Sequence, residues 1–193
     1  SAMSYGALSA PAIQALSMGA AKAGILLNTG EGGLAPFHLH GQCDLVFQIG
    51  TAKYGVRKPD GTLSDEKLQE VASHTSVKMF EIKLSQGAKP GKGGILPAEK
   101  VTDVIASTRG IPMGQDSLSP NRHTDISSVD DLLNMIHRVR QVTGKPVGIK
   151  FVLGQPEWLD DLCRAIQTLG LEYAPDFVTV DSADGGTGAA PQS

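Results

Sequence analysis

The sequence has few cysteines and no long run of apolar residues. Only two cysteines occur, Cys43 and Cys163, so the clusters that bind zinc or iron–sulfur groups are absent. Both lie in apolar segments, and we expect two buried, reduced thiols rather than a disulfide. No apolar run approaches the ~20 residues that a membrane span needs, and no signal peptide opens the chain. These absences predict a cytoplasmic protein with no membrane segment in this part of it.

Charge of one sign does not dominate either. The formal net charge is -3, and no basic stripe interleaved with aromatic residues occurs, which argues against a nucleic-acid partner. His38 and His40 form an isolated His-x-His pair without further ligand spacing. We therefore expect no metal site.

Apolar runs alternate with segments of helical period, the pattern of repeated βα units. With 193 residues, 40% of them hydrophobic, the chain has enough apolar material for one core. The predicted strands lie around Met3 and at residues 25–28, 45–49, 79–85, 147–152 and 177–181. About six such units predict most of a (β/α)₈ barrel, which needs ~250 residues, with an open doubly wound sheet as the rival fold.

Capping residues and glycine stops predict the helices between these strands. The predicted helices begin near Ser9, Ser64, Pro97, Ser128 and Pro156. Their apolar spacing places Leu16 on the buried face of the first helix and Val104 on that of the third.

Charged and apolar side chains alternate along two predicted strands. Glu81 and Lys83 alternate with Phe80 and Ile82, and Lys150 stands alone in an apolar strand. In a barrel the apolar face meets the helices, so these charges point inward. Because a buried charge needs a partner, a structural network that pairs Glu81 with Lys83 or Lys150 is the alternative to a functional role.

Glycine-rich loops follow three of the apolar runs. They are residues 28–33 (NTGEGG), 86–94 (QGAKPGKGG) and 184–188 (DGGTG). Glycine lets backbone amides approach a ligand closely, and the lysines of the second loop favour an anion. Loops of this kind at several strand ends predict one shared site.

Together with residues 3–9 (MSYGALS), these motifs resemble the FMN-binding synthase domain of the glutamate synthase family, from Ala2 to Pro191. The resemblance implies that residues 1–193 form a single TIM (β/α)₈ barrel domain, incomplete and truncated at both ends. It also implies an FMN-dependent oxidoreductase. That enzyme would reduce 2-iminoglutarate, made from 2-oxoglutarate and ammonia, to L-glutamate by hydride transfer from reduced FMN.

The resemblance assigns FMN contacts to the residues Ser4, Gln48, Lys150, Gly185 and Gly186. Lys150 would stabilise negative charge at the pyrimidine edge of the flavin. The amide of Gln48 offers both a donor and an acceptor to the ring. An amide that satisfies loop backbone at a strand end is the alternative for Gln48.

For the substrate, Lys83 and Lys89 match family lysines, with Lys89 the better candidate for binding a carboxylate. Glu31 matches the glutamate assigned to proton handling and imine formation, so Glu31 and Lys89 are the catalytic candidates. A solvated turn residue is the alternative for Glu31. Lys92, a further candidate for substrate binding, stands where the family usually has an acidic residue, which points to a different substrate choice or a different ammonia route.

Residues 119–125 replace a family loop richer in proline and histidine, and there Arg122 and His123 either meet a carboxylate or are exposed. The electron donor (ferredoxin or a nicotinamide-linked subunit) and the ammonia source (free or glutamine-derived) stay open. So does an iron–sulfur cluster of the parent protein, whose ligands would lie beyond this segment. The alternatives are a barrel oxidoreductase acting on another imine or 2-oxo acid, and a non-catalytic barrel fragment. Unpaired strand edges of an incomplete barrel predict that the isolated segment either oligomerises or is only marginally stable.

Overall fold

The computed structural model describes residues 2–88 and 93–182. Its strands in chain order are β1 (Leu27–Asn28), β2 (Leu45–Ile49), β3 (Val77–Lys83), β4 (Ile95–Leu96), β5 (Ser117–Leu118), β6 (Val147–Phe151) and β7 (Val178–Val180). Five of them form a parallel sheet in the order β1-β2-β3-β6-β7. The pair β4–β5 is antiparallel and separate.

The order of strands in the main sheet follows the chain without reversal. A doubly wound sheet reverses its order at a switch point, whereas a barrel adds each strand beside its predecessor. The predicted α/β fold with parallel strands is confirmed, as a half-barrel of five strands in the described part of the chain. The expected sixth strand near Met3 is a single bridge, in which Met3 N donates to the carbonyl of Asn28 at 3.0 Å.

The helices are α1 (Ala10–Ala23), α2 (Pro36–Leu39), α3 (Asp65–Ser73), α4 (Asp103–Arg109), α5 (Val129–Thr143) and α6 (Glu157–Leu169), with 3-10 turns at Ala98–Lys100 and Leu171–Tyr173. The predicted caps are clearest at α5, where Ser128 accepts from Asp131 N and Gly144 ends the helix in the left-handed conformation. None of the helices in residues 2–88 and 93–182 is long and apolar enough to cross a membrane.

The core lies between the outer face of the sheet and three helices. Phe47 of β2 and Phe80 of β3 are fully buried, with ring centroids 5.6 Å apart. Leu68 of α3, Ile136 of α5 and Leu162 of α6 pack against the same cluster. The apolar strand positions thus face the helices, as the alternation predicts.

One residue in each of two predicted buried helix faces is wrong. Leu16 is 37% exposed, and the buried polar residue of α1 is Ser17, whose hydroxyl donates to the carbonyl of His38. Val104 is 38% exposed because α4 does not begin at Pro97. Pro97 precedes a 3-10 turn instead, and Thr102 caps α4 through its side-chain oxygen.

The prediction of two buried thiols is half wrong. Cys43 is buried, but Cys163 is exposed on α6. The apolar neighbours of Cys163 along the sequence lie on other faces of that helix, because adjacent helical residues point in different directions. Both cysteines are free thiols.

Candidate functional site

Polar side chains line the inner face of the parallel sheet in register. Gln48 lies beside Glu81, and Lys83 beside Lys150, which in turn lies beside Thr179. All are at or near the carboxyl ends of their strands. In a parallel sheet these ends share one edge, so strand phase and register alone bring the polar residues to one place.

Glu81 is the buried centre of this face, with 2% of its surface exposed. Its Oε1 accepts hydrogen bonds from Asn28 Nδ2 at 2.8 Å and Gln48 Nε2 at 2.6 Å. Its Oε2 accepts from Thr179 Oγ1 at 2.7 Å. Neutral donors from three other strands thus hold the Glu81 carboxylate, and both lysines pair with other carboxylates. The alternative that pairs Glu81 with Lys83 or Lys150 is therefore wrong.

Lys83 joins two of the loops at the strand ends. Its Nζ lies 3.3 Å from Glu31 Oε1 and donates to Gln86 Oε1 at 3.1 Å. The Glu31 side chain also packs closely over Gly50, where an added Cβ would lie 2.6 Å from Glu31 Cβ. Glu31 is thus held by packing and by an ion pair, with 27% of its side chain exposed.

Lys150 and Asp181 tie the end of the sheet to the second glycine loop. The Nζ of Lys150 lies 3.5 Å from Asp181 Oδ2, and the backbone N–H of Gly87 donates to the same oxygen at 3.2 Å. The Lys150 side chain is 14% exposed.

Gln48 is 1% exposed, and its two amide atoms differ in their partners. Nε2 binds Glu81, while Oε1 is buried with no hydrogen-bond partner among the described residues. The Gln48 side chain makes no hydrogen bond to loop backbone in the described residues, so that alternative is wrong. A buried acceptor without a partner is costly, and a ligand with an N–H or O–H group would satisfy it.

Ser4 lies against the first glycine loop. Gly30 has φ +66, and an added Cβ there would lie 2.6 Å from Ser4 N, so the loop and the N-terminal segment need glycine to meet. Buried His38 fixes this segment, since its Nε2 bonds the Met3 carbonyl at 2.8 Å and its Nδ1 accepts from Ala35 N. Burial lowers the pKa of His38.

Sequence reasoning missed Arg109, a buried cation at the end of α4. Its Nη1 donates to Ser117 Oγ at 2.9 Å, and its guanidinium carbon lies 4.9 Å from the ring centre of Tyr54. Its Nε has no partner within residues 2–88 and 93–182. Burial lowers the pKa of Arg109, and the charge of Glu31 counteracts this. The sequence offers only a basic residue in the last helical turn, a common feature of helix ends.

The loop 119–125 divides into an exposed and a buried part. Arg122 is exposed, but His123 is only 2% exposed and its Nε2 bonds the Lys83 carbonyl at 2.9 Å. Exposure was thus the wrong expectation for His123. Burial, assisted by the positive charge of Lys53, lowers the pKa of His123. Lys53 itself is buried and pairs with Asp125 at 2.8 Å.

A recess lies at the carboxyl edge of the sheet. It is lined by residues from four loops, among them Glu31, Thr51, Lys83, Gln86, Gly94, Ser119 and Asn121. Lys89, Lys92, Gly185 and Gly186 lie outside the described residues, and their roles stay predictions. Within the described part, Glu31 and Lys83 line the recess, while Gln48 and Lys150 belong to the adjoining inner face.

Comparison with known proteins gives this site a context. The chain matches a family model described as the conserved region in glutamate synthase over residues 1–193. It belongs to the glutamate synthase family. The resemblance carried by the glycine loops and the N-terminal motif is therefore confirmed.

Named relatives agree. The glutamate synthase large subunit-like protein YerD of Bacillus subtilis is 44% identical over 98% of this chain and 36% of the relative. The archaeal glutamate synthase [NADPH] of Archaeoglobus fulgidus is 40% identical over 100% of this chain and 34% of its own length. The archaeal-type glutamate synthase [NADPH] of a Thermotoga species is 38% identical over 99% and 34%. The chain thus spans about a third of the length of these relatives.

Proposed function

We propose that this glutamate synthase segment is part of an FMN-dependent oxidoreductase that converts 2-oxoglutarate and ammonia to L-glutamate through 2-iminoglutarate. We also propose that the half-barrel belongs to a TIM barrel. The observation that carries the proposal is the inner face of the sheet. There, Gln48 Oε1 is a buried acceptor without a partner among the described residues. The next two strands of the sheet, β3 and β6, carry the cations Lys83 and Lys150.

The donors and acceptors of this face fit FMN. Gln48 would accept a hydrogen bond from the ring, and Lys150 would place positive charge beside it. Ser4, packed on the first glycine loop, would contribute a hydroxyl and backbone groups. Bound FMN would supply the hydride; the chain supplies orientation and charge.

Lys83, which lines the recess, would bind and orient a dicarboxylate, and Lys89 is proposed to join it. Glu31, held by Lys83 at 3.3 Å, would take up the protons released when ammonia condenses with the 2-oxo group. It would return protons to the departing water, so that 2-oxoglutarate and ammonia give the imine plus one water. One hydride at the imine carbon and one proton at nitrogen then complete glutamate.

The Thermotoga and Archaeoglobus relatives are both named as NADPH glutamate synthases. This supports a nicotinamide-linked electron donor over ferredoxin. Ammonia would enter either free or from glutamine hydrolysis in another segment or subunit.

The full-length protein tests the proposal. We expect FMN to bind, with the visible absorption of a flavin, and the chemically reduced holoprotein to form glutamate from 2-oxoglutarate and ammonium. Glu31→Gln should retain FMN and lower kcat by about 10²–10⁴-fold, as expected for loss of a general acid–base. Exposed Glu99→Gln is the matched control. Failure to bind FMN on titration contradicts the proposal, and flavin binding without glutamate formation contradicts the assigned reaction.

A further inference from the structure

Glu81 has an unusual set of partners for a buried carboxylate. Its nearest donors are the side chains of Asn28, Gln48 and Thr179, all neutral, at 2.6–2.8 Å. An ionised carboxylate only accepts hydrogen bonds, and it has room for several. These contacts link β1, β2 and β7 to β3 at a single side chain.

The carboxylate leaves each amide one chemically acceptable orientation. A Gln48 side chain turned over would direct Oε1 at Glu81 Oε1, and two acceptors would face each other without a proton between them. The same holds for Asn28, whose Nδ2 faces Glu81. Its Oδ1 accepts from the N–H of Gly30 at 2.9 Å. Gly30 directly precedes Glu31 in the glycine loop.

We propose that Glu81 is a positioning residue that fixes the hydrogen-bond polarity of two amides. It turns Gln48 so that its carbonyl oxygen is the group left for a ligand, and it turns Asn28 so that its carbonyl oxygen shapes the loop carrying Glu31. The ligand part rests on the proposed FMN function. The oxidised flavin ring has a single N–H group, at N3, so Gln48 Oε1 selects for that proton.

Glu81→Lys reverses this polarity, because an ammonium group donates and cannot accept. It donates to Gln48 Oε1, and the NH₂ of Gln48 then faces the ligand. Thr179→Val is a matched control, because it removes a donor to Oε2 of the same carboxylate without touching Oε1, where both amides bind. E81Q is a second control, because its carbonyl oxygen keeps the place of Oε1 while its NH₂ group donates to the Thr179 hydroxyl, which also accepts.

The experiment compares FMN with N3-methyl FMN, which lacks the ring N–H, by titrating the full-length protein. The measured quantity is the ratio of the two dissociation constants. Gln48→Met supplies the ratio due to the bulk of the methyl group alone. The wild-type ratio should exceed that of Gln48→Met about tenfold, the usual weight of a buried hydrogen bond. Thr179→Val and E81Q should keep the wild-type ratio, and E81K should fall to the ratio of Gln48→Met.

A wild-type ratio equal to that of Gln48→Met overturns the inference while the FMN function stands, and so does an E81K ratio equal to wild type. A wild type that binds neither flavin overturns the proposed function instead. The amide orientation has its own readout, which also serves if E81K does not fold. NMR of the wild type should show a scalar coupling across the hydrogen bond from Gln48 Nε2 to the Glu81 carboxyl carbon, and its absence overturns the inference.

Discussion

Lys83 and Glu31 form an ion pair between the end of β3 and the loop after β1, with Nζ 3.3 Å from Oε1. Contacts outside the ion pair also hold both residues in place. The Lys83 carbonyl accepts from His123, and the Glu31 side chain packs over Gly50. The pair is therefore placed by backbone contacts as well as by its own charges.

Gly50→Ala tests the importance of this placement. The new Cβ would lie 2.6 Å from Glu31 Cβ and 2.5 Å from Oε2, so the Glu31 side chain must shift from its present position. We expect kcat to fall about 10²-fold, as for other ~1 Å misplacements of a reacting group. The control is Gly19→Ala, where a Cβ meets nothing within 4 Å in the described structure, and which should leave kcat unchanged. An unchanged kcat in Gly50→Ala would remove Glu31 from the chemistry.

Lys150→Met tests the role of the inner-face cation in flavin binding. We expect weaker FMN binding and a more negative flavin reduction potential, because a positive charge beside the ring favours its reduced, anionic form. Asp181 loses its ion-pair partner in this variant but keeps the hydrogen bond from Gly87. The measurements are FMN titration and a redox titration, with exposed Lys100→Met as the control. Equal affinity and potential in both variants would return Lys150 to a structural role.

The sequence predicted those features that depend on local pattern. The alternation in β3 placed Glu81 and Lys83 on the inner face, and the capping box of Ser128 with Asp131 marked α5. The start of α4 was wrong because Pro97 suits a first helical turn by sequence, whereas the chain makes a 3-10 turn there.

The partners within the site were not predictable in the same way. Glu81 is held by Asn28 and Thr179, which lie 53 and 98 positions away along the chain. Such pairings depend on which strands become neighbours, and no local period encodes them. His123 likewise reads as an exposed loop residue until the fold buries it beneath Lys83. Strand phase predicted which side chains lie on the inner face, whereas positions that depend on tertiary packing alone were not predicted.

His38 and His123 predict a loss of stability in mild acid. Burial lowers the pKa of both below the ordinary value of 6.5, so the unfolded chain binds protons more readily than the folded one. This contribution is fully present above pH 6.5 and declines as pH falls towards the folded pKa values. We expect the free energy of unfolding, measured by urea titration, to fall between pH 7 and pH 5, by at most about 1.4 kcal/mol for each unit of pKa lowering per histidine.

Variants separate these histidines from the rest of the chain. His38→Asn should reduce the pH dependence, because asparagine keeps the acceptor for Ala35 N and does not titrate. Exposed His40→Asn should leave the pH dependence as in the wild type. A pH profile that is identical in all three proteins would contradict the assignment.

Asp125→Asn should destabilise the protein far more than an equivalent change at a surface pair. Lys53 is 1% exposed and lies 2.8 Å from Asp125, whose side chain is 41% exposed. Removing the carboxylate leaves a buried ammonium without its partner, which costs about 3–5 kcal/mol in fully buried pairs. Because solvent reaches Asp125, we expect about 2 kcal/mol here. Asp44→Asn is the control, since Asp44 and Lys78 are 3.6 Å apart and about half exposed, and it should cost at most about 0.5 kcal/mol.

The Lys53–Asp125 pair also determines how the difference in stability between wild type and Asp125→Asn depends on pH. Burial raises the pKa of Asp125, but the hydrogen bond and charge of Lys53 outweigh it, and the net effect lowers the pKa below its ordinary value of 3.8. The stabilisation is therefore present above pH 3.8 and disappears as pH falls through the lower folded pKa. Urea unfolding at several pH values should show wild type and Asp125→Asn converging in acid. Equal midpoints for Asp125→Asn and Asp44→Asn at neutral pH would mean that water, rather than Asp125, stabilises the Lys53 ammonium.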